Sequence, residues 1–192
     1  NRFTVKAMLD RMKVDIIDLG VIRDDKNAIM QAFIQADQQA DVVISSGGVS
    51  VGEADYTKEV LDELGKIEFW KVAMKPGKPI AFGNLPNSVF FGLPGNPVSA
   101  TVTFHVLAAK ALAKMQGTQP KPAIKLQATT TEKIKKRPGR MDFQRGIART
   151  NEKGHLSVTP LSAQGSGILS SMSRANCYIV LAQEDGGKET GE

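Results

Sequence analysis

Four groups of residues in this chain have the types and spacing that handle anions. The first follows the run Val42-Val43-Ile44 and reads Ser45-Ser46-Gly47-Gly48-Val49-Ser50-Val51-Gly52-Glu53-Ala54-Asp55. Gly47, Gly48 and Gly52 permit positive φ and close backbone approach, so several N–H groups can point into one concavity and hold a phosphate or oxyanion. Glu53 and Asp55 add carboxylates, one of which can hold a metal ion or orient a hydroxyl; the plainer alternative makes Asp55 the N-cap of a helix from about residue 57. The second group is Lys75-Pro76-Gly77-Lys78-Pro79. Its two lysines sit on a turn stiffened by proline, and each can give a tetrahedral dianion a charge-assisted hydrogen bond of roughly 1.5–3 kcal/mol. A solvated surface pair is the alternative. Pro94-Gly95-Asn96-Pro97-Val98-Ser99 is the third, a strand exit with Pro97 at the first helical position and orphan N–H groups behind it. Asp24 and Asp25 form the fourth, at the end of a loop, where one can cap a helix.

These groups need elements that bring them to one place. Val14 to Leu19 alternates as a strand, residues 26–39 carry a helical stripe through Ile29, Met30, Phe33 and Ile34, and 41–46 is the β-branched run of a buried strand. A strand, a helix and a strand in so short a stretch predict a right-handed parallel unit, with ligands at the carboxyl ends of its strands. Helices are expected at about 2–13, 57–65 and 97–115, and strands at 67–74, 79–82 and 87–92, with a hairpin at Asn84 to Asn87. His105 reads as helix packing. A break at Gly117 to Pro122 precedes short strand candidates at 124–131, 142–149, 156–161 and 176–182. The fold class is therefore α/β, a three-layer, mostly parallel sheet over 1–118, followed by a small all-β domain over 119–192.

Composition narrows the function classes. With 41% apolar and 23% charged residues the chain can bury a core. The net charge of +5 does not demand nucleic acid, because basic residues are dispersed except over 133–140, and small anionic ligands explain it equally well. Lys133 to Arg137 reads as a solvated strand face. A single cysteine, Cys177, excludes an intrachain disulfide and fits a cytoplasmic location, and no apolar run reaches membrane-spanning length.

Taken together, Ser-Gly-Gly-Val-Ser-Val-Gly-Glu-x-Asp-Tyr, Lys-Pro-Gly-Lys-Pro and Gly-Leu-Pro-Gly-Asn-Pro-Val-Ser resemble the molybdopterin molybdenumtransferases, the MoeA and gephyrin-like molybdenum insertases, over essentially the whole chain. The resemblance implies a molybdopterin-binding α/β fold and a barrel-like β domain. It also implies a reaction of molybdate with adenylylated molybdopterin that releases AMP. Ser46, Gly47, Gly48, Ser50, Gly52, Glu53, Pro94, Gly95 and Asn96 would line the cofactor site, Lys75, Lys78 and Ser99 would take molybdate, and Asp55 with Asp24 or Asp25 would act catalytically, Asp55 on Mg2+. Two weaker matches, Pro138-Gly139-Arg140-Met141-Asp142-Phe143-Gln144-Arg145 and Gln164-Gly165-Ser166-Gly167, would add Arg140, Arg145 and Ser166. A homodimer and contact with the molybdopterin adenylyltransferase are expected partners. The family pattern further implies two domains and a first strand with a Gly-Asp-Glu motif upstream of residue 1, a truncated β domain, and no activity from residues 1–192 alone. Two rivals remain. A molybdopterin adenylyltransferase shares the Gly-Gly loop and aspartate but lacks the lysine turn and β domain; a gephyrin-like scaffold would bind a receptor-loop peptide.

Overall fold

The computed structural model describes residues 1–49, 56–119 and 122–192. In chain order they form α1 (Arg2–Arg11), α2 (Lys26–Gln39), β1 (Val42–Ser46), α3 (Tyr56–Leu64), β2 (Lys66–Lys71), β3 (Met74–Lys75), β4 (Pro79–Asn84) and β5 (Val89–Leu93). A long helix follows as α4 (Pro97–Thr103), a π-helical segment (Phe104–Ala108) and α5 (Ala109–Met115). Then come β6 (Thr129–Thr130), β7 (Met141–Thr150), β8 (Leu156–Pro160), α6 (Ser170–Arg174) and β9 (Cys177–Leu181).

The first sheet has the order β1-β5-β4-β2. Side chains alternate between its faces, and each face has its own core. Val43 and Phe90 pack with Ile29 and Phe33 of α2 and Val60 and Leu61 of α3. Their neighbours Val42, Ile44, Phe91 and Leu93 pack on the other face with Val5 of α1 and Phe104, Ala108 and Leu112 of the long helix. Phe33 meets Phe90 edge-on at 5.5 Å, a contact that adds about 0.5–1.5 kcal/mol to the burial itself. At the far end of α2, buried Asp37 accepts bonds from Asn87 N–H, Asn87 Nδ2 and Ser88 Oγ, fixing the 84–88 hairpin tip to the helix.

Four expectations change. The sheet is mixed: β1 and β5 run parallel, but β5–β4 and β4–β2 are antiparallel. The tight hairpin at Leu85 to Ser88 and the short link through 72–78 leave no room for the crossover a parallel pair needs. Residues 14–19 are in no strand, and Ile17 and Val21 stand 52% and 85% exposed; alternation alone does not make a strand without a partner for its N–H and C=O groups.

Nor is the C-terminal part all-β or self-contained. Its sheet, β3-β7-β8-β6 with β9 on β7, takes Met74–Lys75 from the first part of the chain, and α6 interrupts it. Expected strand 124–131 shrinks to β6, since Ile124 and Leu126 are 88% and 71% exposed. A shared core of Met74, Val98, Val102 and Phe143, with Val106, Met172 and Tyr178 against it, joins the second sheet to the long helix. His105, in the π segment, is hydrogen-bonded through Nδ1 to Tyr178 Oη at 2.9 Å. Burial pushes the Tyr178 hydroxyl pKa up to about 12 and pulls the His105 pKa below its ordinary value, so both groups favour the neutral form.

Candidate anion-binding site

Parallel β1 and β5, with Ser46 opposite Leu93, deliver the loops after both strands to the same sheet edge. Gly47 N–H donates to Leu93 O at 3.0 Å and Ser46 Oγ donates to Pro94 O at 3.3 Å. The Asn1 side-chain amide closes the pair, donating to Ser46 Oγ at 2.6 Å and to Gly95 O at 2.7 Å. Gly48 has φ +69°, and a β-carbon there would collide with the Thr57 side chain at the start of α3. Glycine is thus needed for close approach as well as for backbone freedom. The carboxylate of Asp25 caps α2, accepting from Ala28 N–H at 2.9 Å, whereas Asp24 beside it is exposed. Ser50, Gly52, Glu53 and Asp55 lie outside the described residues. Among the described residues no three His, Cys, Asp or Glu side chains come together to hold a metal.

The lysine turn reaches the same region from the other sheet. Lys75 ends β3 opposite Asp142 of β7, and its Nζ lies 3.5 Å from Asp142 Oδ2. That carboxylate is buried while the lysine is half-exposed, so the cation is anchored at its base and open above. Val72 N–H donates to Lys78 O at 2.8 Å, closing the turn. At its tip Gly77, φ +104°, rests on α4: a β-carbon would stand 2.5 Å from Thr103 Oγ1 and 3.5 Å from Ser99 O. Ser99 is itself buried on α4.

A third loop, 164–167, docks on the start of that helix. Ser166 accepts from Val98 N–H through its carbonyl at 3.0 Å and from Asn96 Nδ2 through Oγ at 3.1 Å. One N–H of the helix start, expected to be an orphan aimed at a ligand, is therefore taken by protein. Arg145 accounts for the loop's position. It is 1% exposed, and burial pulls its guanidinium pKa below the usual value. Its Nη2 donates to Ala163 O and Gly165 O, and its Nε donates to Ser171 Oγ. Gln164 completes the hold by bonding both the N–H and the carbonyl of Arg145. Arg145 thus sits under the Ser166 loop, whereas Arg140 is exposed and lines a cleft of about 730 Å³ beside Lys75.

The segments 46–48, 75–78, 94–99 and 164–166 all meet around the first turns of α4, and Asp24 and Asp25 stand at the start of α2. Several residues that hold this arrangement give little sign in the sequence. Asp142 is marked by being an acid between Arg140 and Arg145, and Thr103 by its helical spacing from Ser99. Asn1 and Gln164 carry no such signal.

A mixed α/β sheet whose glycine loops lie at one edge, met there by a lysine turn from a second sheet, defines the class of protein, and comparison with known proteins makes it specific. Residues 1–114 match the family model "Probable molybdopterin binding domain", and residues 127–192 match "MoeA C-terminal region (domain IV)". The chain is 51% identical over its whole length to a molybdopterin molybdenumtransferase of Haemophilus influenzae, of which it covers 48%. Over 90% of its length it is 29% identical to gephyrin of Dictyostelium discoideum, covering 27% of that protein. Among solved structures it is similar to a molybdopterin biosynthesis MoeA protein from Pyrococcus horikosii, with TM-score 0.80 and 28% identity over the whole chain and 46% of that structure. The chain belongs to the molybdopterin-binding domain family and carries a MoeA C-terminal region behind that domain. It spans about half the length of the Haemophilus relative.

Proposed function

We propose that this chain supplies the molybdopterin-binding and oxyanion-binding parts of a molybdenum insertase, in which molybdate reacts with adenylylated molybdopterin and AMP leaves. The observation that carries this reading is the convergence of the glycine loop, the lysine turn and the Ser166 loop on the first turns of α4. On this reading Ser46, Gly47, Gly48, Pro94, Gly95 and Asn96 line the pterin side, and the family motif assigns Ser50, Gly52 and Glu53, outside the described residues, to the same ligand. Lys75 and Lys78 bind molybdate, with Ser99 beneath them and Arg140 and Ser166 on the flank. Arg145 joins the set as the support of Ser166. Asp55, with Asp24 or Asp25, contributes carboxylates. Of those two, Asp24 is the freer, since Asp25 is engaged at its cap. The chemistry rests on orientation and on fixed dipoles and charges at the transferring oxyanion. Asp55 would hold magnesium, which would offset the charge of the phosphates.

On the same reading the chain carries an α/β part over 1–118 and a β-rich part over 119–192 that share β3 and a core, and two copies form a cytoplasmic homodimer that meets the adenylyltransferase making its substrate. No helix among the described residues is long and apolar enough to cross a membrane. The test is AMP release from adenylylated molybdopterin on addition of molybdate, with the chain joined to the remaining length its relatives have. Molybdate-dependent release that Lys78→Ala abolishes is the expected result. AMP release indifferent to molybdate would indicate another reaction, and the isolated 192 residues are expected to give none.

A further inference from the structure

The run Lys133 to Arg137 reads in sequence as a solvated strand face, but the structure makes it one wall of the cleft beside Lys75. Six cationic side chains against the two carboxylates Asp142 and Glu189 leave four positive charges in excess along that cleft. The wall is fixed. Ile134 is buried, and its N–H and carbonyl pair with Lys188. Lys133 is tied to Glu189 at 2.5 Å, and Lys136 Nζ turns back to donate to Asp185 O at 2.5 Å. Gln144 Nε2 donates both to Lys135 O and to Asp142 Oδ2, joining the wall to the buried carboxylate under Lys75. Lys135, Arg137 and Arg140 remain on the cleft with no carboxylate in ion-pair reach among the described residues.

At about 730 Å³ the cleft is far larger than a single tetrahedral oxyanion and lies within the roughly 300–1,000 Å³ of small-molecule sites. Two arginines suit bidentate contact with phosphate oxygens, which a lone oxyanion on Lys75 and Lys78 does not need. We propose that the part of this cleft beyond Lys75 is a phosphate subsite, in which Lys135 and Arg137, with Arg140 at the border of the oxyanion site, bind the diphosphate of an organic ligand while the lysine turn takes the smaller oxyanion. This rests on the reading above only in taking the substrate to be an organic phosphoanhydride.

Isothermal titration of the chain with ADP, inorganic pyrophosphate and molybdate tests it. ADP and pyrophosphate share the diphosphate, and ADP adds the organic part. The double variant Lys135→Gln/Arg137→Gln is expected to weaken ADP at least 10-fold and to flatten its dependence on ionic strength, since exposed charges are screened within about 10 Å at 0.1 M salt. Molybdate affinity should stay within about twofold, and Lys78→Ala should show the converse pattern. An unchanged denaturation midpoint confirms that the double variant is folded. The proposal is overturned if ADP binds wild type and double variant alike, if ADP and molybdate weaken in parallel, if pyrophosphate binds more tightly than ADP, or if wild type shows no saturable ADP binding. Failure of AMP release in the insertion assay would remove the assigned reaction and leave these binding results standing.

Discussion

Replacing Gly77 by alanine should loosen the lysine turn by a calculable amount. The residue has φ +104°, a region that costs an L-residue about 1–2 kcal/mol. Its new β-carbon would stand 2.5 Å from Thr103 Oγ1, so helix or turn must move; overpacking of this kind costs typically 1–3 kcal/mol. The single variant should therefore lose about 2–5 kcal/mol, from the sum of the two terms. Adding Thr103→Ala removes the hydroxyl that obstructs, and only the backbone term of about 1–2 kcal/mol should remain. Thr103 Oγ1 is buried without a hydrogen-bond partner among the described residues, so Thr103→Ala alone should cost only the roughly 1 kcal/mol of its buried γ-methyl, which the comparison of single and double variants subtracts. Urea denaturation of the four proteins measures the coupling. A single variant within about 0.5 kcal/mol of wild type, or a double variant no better than the single, would refute the idea that this contact seats the turn on α4.

Asp37→Ala removes three accepted hydrogen bonds from the hairpin tip and should cost about 2–4 kcal/mol at pH 7, read by urea denaturation. Burial raises the Asp37 pKa, but the bonds from Ser88 and Asn87 outweigh it and hold the group below the ordinary 3.8. A lowered carboxylate stabilises above its unfolded value, so the wild-type advantage should persist above about pH 4 and vanish as pH falls through the folded value; an advantage that grew toward low pH would contradict this. Arg145→Lys keeps the charge but loses the fork that holds Ala163 O, Gly165 O and Ser171 Oγ. It should destabilise by about 2–4 kcal/mol and speed amide exchange at Gly165 and Ser166, and unchanged exchange there would mean that Arg145 does not position the loop. Lys75→Ala and Lys78→Ala should weaken molybdate binding far more than pterin binding in titrations, and equal losses would show one shared pocket.

Local signals made much of this fold legible. The helix at 26–39, the β1 run, the 84–88 hairpin and the proline-started helix at 97 were set by a stripe, a β-branched run, a turn sequence and a cap, all contained in a few residues. What was not legible depended on distant partners. Residues 14–19 alternate as a strand should, yet form no strand pairing among the described residues; Asp18 alone is tied, to Arg2 and Gly20. Met74–Lys75 leaves the first sheet for β7, a choice made by Met141 N–H reaching Ala73 O from far along the chain. In the site the motifs themselves stood out through glycine, proline and lysine, but their supports did not. Arg145 looks like a ligand in sequence and is buried under a loop in space, whereas Lys133, Lys135 and Arg137 look solvated and are exposed along the cleft beside Lys75. Burial separates these cases, and single-residue chemistry does not report it.

On the proposed reading the lysine turn, seated on α4, is where the transferred oxyanion binds. Crystals soaked in molybdate and measured at the molybdenum absorption edge test it directly. An anomalous peak within hydrogen-bond reach of Lys75 and Lys78 Nζ, lost in Lys75→Ala/Lys78→Ala, is the predicted result. A peak elsewhere on the chain, or one that survives the double substitution, would contradict it.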